Sequence, residues 1–214
     1  MKRRKFMMVA GAATGALLVN PMQALAREKE RSSEKMKIVV MTGSPRNGGN
    51  SSFLADEFIR GAKENGHEVF RFDCAHKNIN PCRACNRCGM NGNCIFNDDF
   101  SNELRPKLIE ADMVVFVTPM YYFGFSAQIK RAIDRFYAIN GKIKGAAKKT
   151  AFLMTYANTA DSEAEPMRLH YKTLASYLGW KDMGMVIAPG VWTAGSIRHT
   201  NYGEKAYELG KSII

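Results

Sequence analysis

Apolar and polar positions along the chain fall into blocks, and the period changes from block to block. Lys37–Thr42 (KIVVMT) is a continuous apolar run with β-branched residues, the pattern of a strand buried on both faces. Met113–Thr118 (MVVFVT), Thr150–Tyr156 (TAFLMTY) and Met183–Ala188 (MGMVIA) read the same way. His67–Phe72 (HEVFRF) alternates and predicts one more strand. Between these runs the spacing turns helical. Ser51–Asn65 puts Phe53, Leu54, Phe58, Ile59 and Ala62 on or near one face, and Gly66 closes the helix. Ser101–Glu110 predicts a short helix weakened in its middle by Pro106. Ser126–Ile139 aligns Ile129, Ala132, Ile133 and Phe136; Glu163–Tyr177 and Tyr202–Ser212 complete the set. Five strands alternating with helices predict an α/β fold, a doubly wound five-stranded parallel sheet in three layers. Ligands in such sheets bind beyond the carboxyl ends of the strands, at the switch point. The loops after Thr42, Thr118 and Tyr156 are therefore the expected ligand edge.

The first of these loops runs Thr42-Gly43-Ser44-Pro45-Arg46-Asn47-Gly48-Gly49-Asn50-Ser51-Ser52. It lacks G-x-G-x-x-G, and it lacks the lysine of a Walker loop. It offers hydroxyls (Ser44, Ser51, Ser52), an amide (Asn50), a guanidinium (Arg46) and free N–H groups at a helix start. That set suits a terminal phosphate monoester, with three oxygens and nearly two negative charges. A plain helix cap accounts for Asn50 or Ser51, but not for Ser-x-Arg together with the glycines. The second loop carries Pro119, Met120, Tyr121, Tyr122, Phe123 and Gly124 ahead of Phe125. Four aromatics at a ligand edge suit a flat conjugated ring; packing on a helix or a second subunit is the plainer reading, above all for Phe123 and Phe125.

Four cysteines, Cys82, Cys85, Cys88 and Cys94, follow the second strand with the spacing C-x2-C-x2-C-x5-C. A [4Fe–4S] cube needs four thiolates, and tight C-x2-C runs supply several from one loop. A four-cysteine zinc site pairs two CxxC units across a longer segment, which this run lacks. Disulfides or free thiols stay open for a chain that leaves the cytoplasm. Cys74 reads as a small core residue.

Composition narrows the compartment and the class. The 214 residues are 46% hydrophobic, as in ordinary globular proteins, with a net charge of +11. Lys2, Arg3, Arg4 and Lys5 supply four of those charges at the start, and the rest are dispersed. A solvated surface is the simple account, with a mild preference for anionic ligands. No nucleic-acid motif is present. Residues 1–26 read as a signal peptide: a basic start, an apolar stretch from Met7 to Val19, and Ala24-Leu25-Ala26 before Arg27. Arg3-Arg4 followed by Phe6 resembles a twin-arginine export signal, with an ordinary secretory leader as the alternative. A periplasmic product without stable membrane insertion is expected. Residues 27–36 read as a flexible charged lead-in, and 37–214 as one domain with a cysteine-rich loop at 81–94.

GSPRNGGNS, TPMYYFGFSAQIKRAIDRFY and the cysteine run between them resemble the iron–sulfur flavoproteins, within the flavodoxin-like, NAD(P)H-dependent FMN reductase group. The resemblance covers Lys37 to Ile214. Pro119-x-Tyr121, Lys130 and Asp134-Arg135 mark the broad group; the cysteine spacing, with Asp98-Asp99 close behind, marks the iron–sulfur branch. It implies that Ser44, Arg46, Asn50, Ser51 and Ser52 hold the phosphate of FMN. Pro119, Met120, Tyr121, Tyr122, Phe123 and Gly124 would line the isoalloxazine, with Thr155–Asn158 on its other side. Cys82, Cys85, Cys88 and Cys94 would hold a [4Fe–4S] cluster. The resemblance further implies a homodimer or a homotetramer, and NAD(P)H as a possible donor. The expected function is an FMN-dependent oxidoreductase or electron-transfer flavoprotein acting with a redox partner or small-molecule acceptor. Two alternatives stand beside it: a cluster-free NAD(P)H-dependent FMN or quinone reductase, and a non-catalytic flavin electron carrier for a membrane partner. No catalytic side chain is expected; His67, His76, His170 and His199 are scattered and read as structural or exposed.

Overall fold

The computed structural model describes residues 35–214. The expected leader and residues 27–34 of the charged lead-in lie outside the described residues. The fold begins at Met36, which is buried and donates its N–H to His67 Nδ1 at 3.3 Å. Strands β1 (Lys37–Thr42), β2 (Glu68–Asp73), β3 (Met113–Tyr121), β4 (Gly124–Phe125), β5 (Lys149–Thr155) and β6 (Lys181–Ala188) alternate with helices α1 (Asn50–Glu64), α2 (Arg105–Glu110), α3 (Ala127–Asp134), α4 (Asn140–Ile143), α5 (Glu165–Leu178) and α6 (Tyr202–Lys211). The order across the sheet is β2-β1-β3-β5-β6, all parallel, with short β4 antiparallel to β3. The chain runs outward from β1 to β2 and then returns to β3, so the switch point lies between β1 and β3.

The apolar runs split the core in two, because successive side chains of a strand face opposite ways. Val39, Met41, Phe116, Phe152 and Met154 pack under α2, α3 and α5. Ile38, Val40, Val115, Val117 and Leu153 pack under α1 and α6. Those two helices touch backbone to backbone: a Cβ added at Gly61 would stand 2.1 Å from Tyr207 O, and one at Gly210 would stand 2.2 Å from Phe58 O. Among the described residues no helix is long and apolar enough to cross a membrane.

The structure departs from the sequence pattern in three places. A sixth strand exists, because β3 continues through Pro119–Tyr121 and folds back as β4. Pro106 does not interrupt a helix: a wide π-helical turn, Phe100–Leu104, precedes α2 and leaves Pro106 in its first turn, where no N–H is needed. The expected Ser126–Ile139 helix is α3 followed by a tighter 3-10 stretch, Arg135–Ile139.

Candidate functional site

The loops at the switch point are knitted together before any ligand is considered. Gly43 N–H donates to Val117 O at 2.8 Å, and Ser126 Oγ donates to Gly43 O at 2.7 Å. A cleft of about 130 Å³ opens above them. Ser44, Arg46, Gly49, Asn50 and Ser51 form one end, and Pro119, Met120 and Tyr121 of β3 form the other, with Thr155, Tyr156 and Ala157 from the end of β5. Helix α1 starts here with no side-chain cap and no acidic residue in its first turn. Its first N–H groups have no intrahelical acceptor, and its dipole favours an anion. Ser44 Oγ accepts from Arg46 N–H at 3.2 Å, which curls the loop toward the helix start.

A second lobe of about 440 Å³ adjoins this cleft and shares Met120, Tyr121, Tyr156, Ala157 and Trp192 with it. Tyr122, Phe123, Asn158 and Glu163 complete it. Tyr122 and Phe123 form the two-residue turn between β3 and β4, both with positive φ (45° and 60°). Tyr122 is fully exposed. Burial, followed by the charge of Asp161, pushes the Tyr156 phenol up, so it stays neutral; it donates to Ala160 O at 3.2 Å.

Three expected site residues have other employment. Asn50 lines the cleft, but its amide faces the 191–197 loop, donating to Val191 O and Thr193 O at 2.9 Å each and accepting from Gly195 N–H at 2.8 Å. Ser52 Oγ accepts from Arg71 Nη2 at 2.7 Å, and Arg71 in turn pairs with Asp73 and Asp56. The Ser52 hydroxyl thus accepts from Arg71 and keeps its O–H as a donor, while its side chain is not part of the cleft lining. Gly124 pairs with Tyr121 across the hairpin and does not line either lobe. Ser44, Arg46, Ser51, Pro119, Met120, Tyr121 and Thr155 come together as expected, with Tyr122 and Phe123 in the adjoining lobe. Val191 and Trp192 are additions from the loop after β6, a loop that the switch-point rule does not single out.

The cysteine loop closes on a separate clamp. Arg135 and Asp98, each 1% exposed at the side chain, form a bidentate ion pair at 2.9 and 3.3 Å. Arg135 also donates to Asn80 O and Ser101 Oγ, while Asp98 accepts from Asn80 and Ser101 N–H. Asn78 and Asp99 exchange two further hydrogen bonds. Between these straps, Cys82, Cys85, Cys88 and Cys94 line one small cavity of about 20 Å³ with Ile95, Phe96 and Tyr137. All are free thiols. Among the described residues no group of three or more His, Cys, Asp or Glu side chains stands close enough to hold a metal ion. Cys74 is buried, and burial pushes its thiol up to about 12, as fits an inert core residue.

The sequence model of the NADPH-dependent FMN reductase family matches residues 36–199, the whole switch-point region and the cysteine loop included. The chain belongs to this family. An iron–sulfur flavoprotein of Methanocaldococcus jannaschii is 39% identical over 100 residues, 47% of this chain and 51% of that protein. One from Archaeoglobus fulgidus is 35% identical over 130 residues, 60% of this chain and 58% of that protein. One from Methanosarcina thermophila is 28% identical over 71% of this chain and 76% of its own length. The chain thus spans little more than half of the first two relatives. Among solved structures, an NAD(P)H:quinone oxidoreductase from Methanothermobacter marburgensis superposes with a TM-score of 0.65 at 17% identity, covering 85% of this chain and all of that one. That likeness establishes the flavodoxin-like fold of this FMN reductase family member.

Proposed function

We propose that this family member is an FMN-dependent oxidoreductase that draws electrons from NAD(P)H. The observation that carries the reading is a pair of adjoining clefts, one beside the uncapped start of α1 with Ser44 and Arg46, the other lined by aromatics. The residues present fit FMN. Uncapped amides of α1, Ser44 and Arg46 answer a phosphate monoester. Tyr121, Tyr122, Phe123 and Tyr156 answer a flat ring. When bound, FMN supplies one- or two-electron redox chemistry, and the protein contributes binding, orientation and exclusion of water. Arg46 would neutralise the phosphate, and the hairpin and the Tyr156–Asn158 segment would flank the ring. Arg46→Ala removes a charge-assisted contact worth about 1.5–3 kcal/mol, so FMN binding should weaken about 10- to 100-fold in a fluorescence titration. Unchanged affinity would show that Arg46 does not hold the phosphate.

We further propose that Cys82, Cys85, Cys88 and Cys94 hold a [4Fe–4S] cluster. The donor chemistry fits: four free thiols share one cavity. The names of the relatives support the same reading. The cluster-free quinone reductase is the second reading, favoured by the absence of any three such side chains at metal-holding distance among the described residues. Iron and acid-labile sulfide in protein prepared without oxygen decide between them. About four of each per chain is the expected result, and none of either leaves the cluster-free reading.

A further inference from the structure

Arg135 borders the cysteine cavity from inside the fold and is 1% exposed. A guanidinium carries five N–H donors in one rigid plane. Nη1 donates to Asn80 O and Asp98 Oδ2 at 2.9 Å each, and Nη2 donates to Asp98 Oδ1 at 3.3 Å and Ser101 Oγ at 3.0 Å. Those four bonds use the far end of the group. Nε–H, the fifth donor, is buried and finds no acceptor among the described residues. Buried donors are almost always paired, so an orphan points to a missing partner. Because the plane is held at its far end, Nε–H is not free to swing toward another acceptor.

The lining of the cavity narrows what that partner is. Among the described residues no carboxylate lines it. Of its neutral polar side chains, Tyr137 donates its O–H to Asn86 Oδ1 at 2.8 Å, so these two satisfy each other. The sulfurs of Cys82, Cys85, Cys88 and Cys94 are the side-chain acceptors that remain, and all four are free. The loop that carries them is also strained. Ala84, Asn86 and Met90 hold positive φ (53°, 54° and 62°), a conformation that non-glycine residues keep chiefly where a site requires it.

We propose that Arg135 reserves its Nε–H for a sulfur of the iron–sulfur site and thereby raises the reduction potential of that site. The inference rests on the [4Fe–4S] reading above. Taking up one electron adds negative charge that the sulfurs share, and a hydrogen bond to a sulfur strengthens with that charge. The donor therefore favours the reduced form. Asp98 acts at one remove: its two oxygens hold Nη1 and Nη2 and so aim the Nε edge of the plane.

The test uses the full chain, prepared without oxygen from arginine carrying nitrogen-15 at Nε and reduced with dithionite. Pulsed electron paramagnetic resonance should show a nitrogen-15 coupling to the reduced cluster in the parent chain. Arg83, which also lines the cavity, is exposed; Arg83→Lys should leave the coupling in place. Arg135→Lys keeps a cation and removes the guanidinium, so the coupling should vanish. In a mediated redox titration the same variant should hold about tenfold less reduced cluster relative to oxidised at any set potential, a shift of about 59 mV downward. No coupling in the parent overturns the proposal, since Nε–H then serves a water or nothing. Loss of the coupling in Arg83→Lys, or its survival in Arg135→Lys, overturns it too. So does an Arg135→Lys variant that keeps its iron at an unchanged potential. Should Arg135→Lys hold no iron, the labelled parent and Arg83→Lys decide by themselves, without it. A parent chain with no iron or sulfide refutes the cluster reading instead, and the two failures are told apart.

Discussion

Asp98 shows how much one side chain can hold. Burial alone pushes its carboxyl up, but the hydrogen bonds from Arg135, Asn80 and Ser101 outweigh burial and bring it down to about 2. An unfolded aspartate titrates near 3.9. A folded value below the unfolded one means that the contribution to stability is complete above about pH 4 and is lost as pH falls through about 2. Asp98→Ala leaves the Arg135 charge buried without its partner and should cost about 3–5 kcal/mol at pH 7. Denaturant unfolding of both proteins should show that gap shrinking between pH 4 and pH 2; a gap independent of pH would refute the account. Asn50 marks where residue-level reading ended. An amide at a ligand edge suits a phosphate as well as it suits a loop. Its acceptors Val191 and Thr193 lie more than 140 positions away, so only the folded chain shows which role it takes.

At the scale of elements, the β3–β4 hairpin and the α1–α6 contact make opposite demands on side chains. The two-residue turn places Tyr122 and Phe123 in the left-handed region, where a non-glycine residue costs roughly 1–2 kcal/mol. Two-residue hairpin turns favour Asn-Gly, and Tyr-Phe carries no such signal. That is why the sequence reads as a loop from Thr118 onward, although Pro119–Tyr121 is strand. Keeping two large aromatics at strained positions fits a turn selected for its rings. Replacing the pair by Tyr122→Asn with Phe123→Gly should raise the melting temperature of the FMN-free protein by about 4–8 °C and weaken FMN binding. A melting temperature that stays level or falls in calorimetry would show that the turn stores no strain. Gly210 tests the reverse case. Alanine is the better helix former by about 1 kcal/mol, yet its Cβ would stand 2.2 Å from Phe58 O. Gly210→Ala should therefore destabilise the protein, by roughly 1–3 kcal/mol, in denaturant unfolding; any gain in stability would mean that α6 moves aside freely.

Across the whole molecule, legibility followed periodicity. The apolar runs gave the strand order's raw material, because a parallel strand buried on both faces has no polar side to hide it. The α1 end of the cleft was legible for a similar reason: a glycine- and serine-rich turn between strand and helix marks a ligand edge, and Ser44, Arg46 and Ser51 do line the cleft there. The loop after β6 was not, since Trp192 acquires its place only through Asn50, from the opposite half of the chain, and Tyr156, just past β5. The same separation of parts yields a consequence for function. No residue lines both the cleft and the cysteine cavity. The cleft hangs on the loops of β1, β3, β5 and β6, whereas the cysteine loop hangs on Arg135, Asp98 and the Asn78–Asp99 strap. The two proposed cofactors should therefore load independently. Cys85→Ser should abolish bound iron and sulfide while FMN affinity stays within about twofold, because additivity holds for sites with no shared partners. Arg46→Ala should do the reverse, weakening FMN while iron content stays unchanged. Flavin fluorescence titration and iron analysis on the same preparations read both quantities. A tenfold fall in FMN affinity on loss of iron would mean that the clamp at Arg135 transmits the state of the cysteine loop to the sheet edge, and that the two sites form one coupled centre.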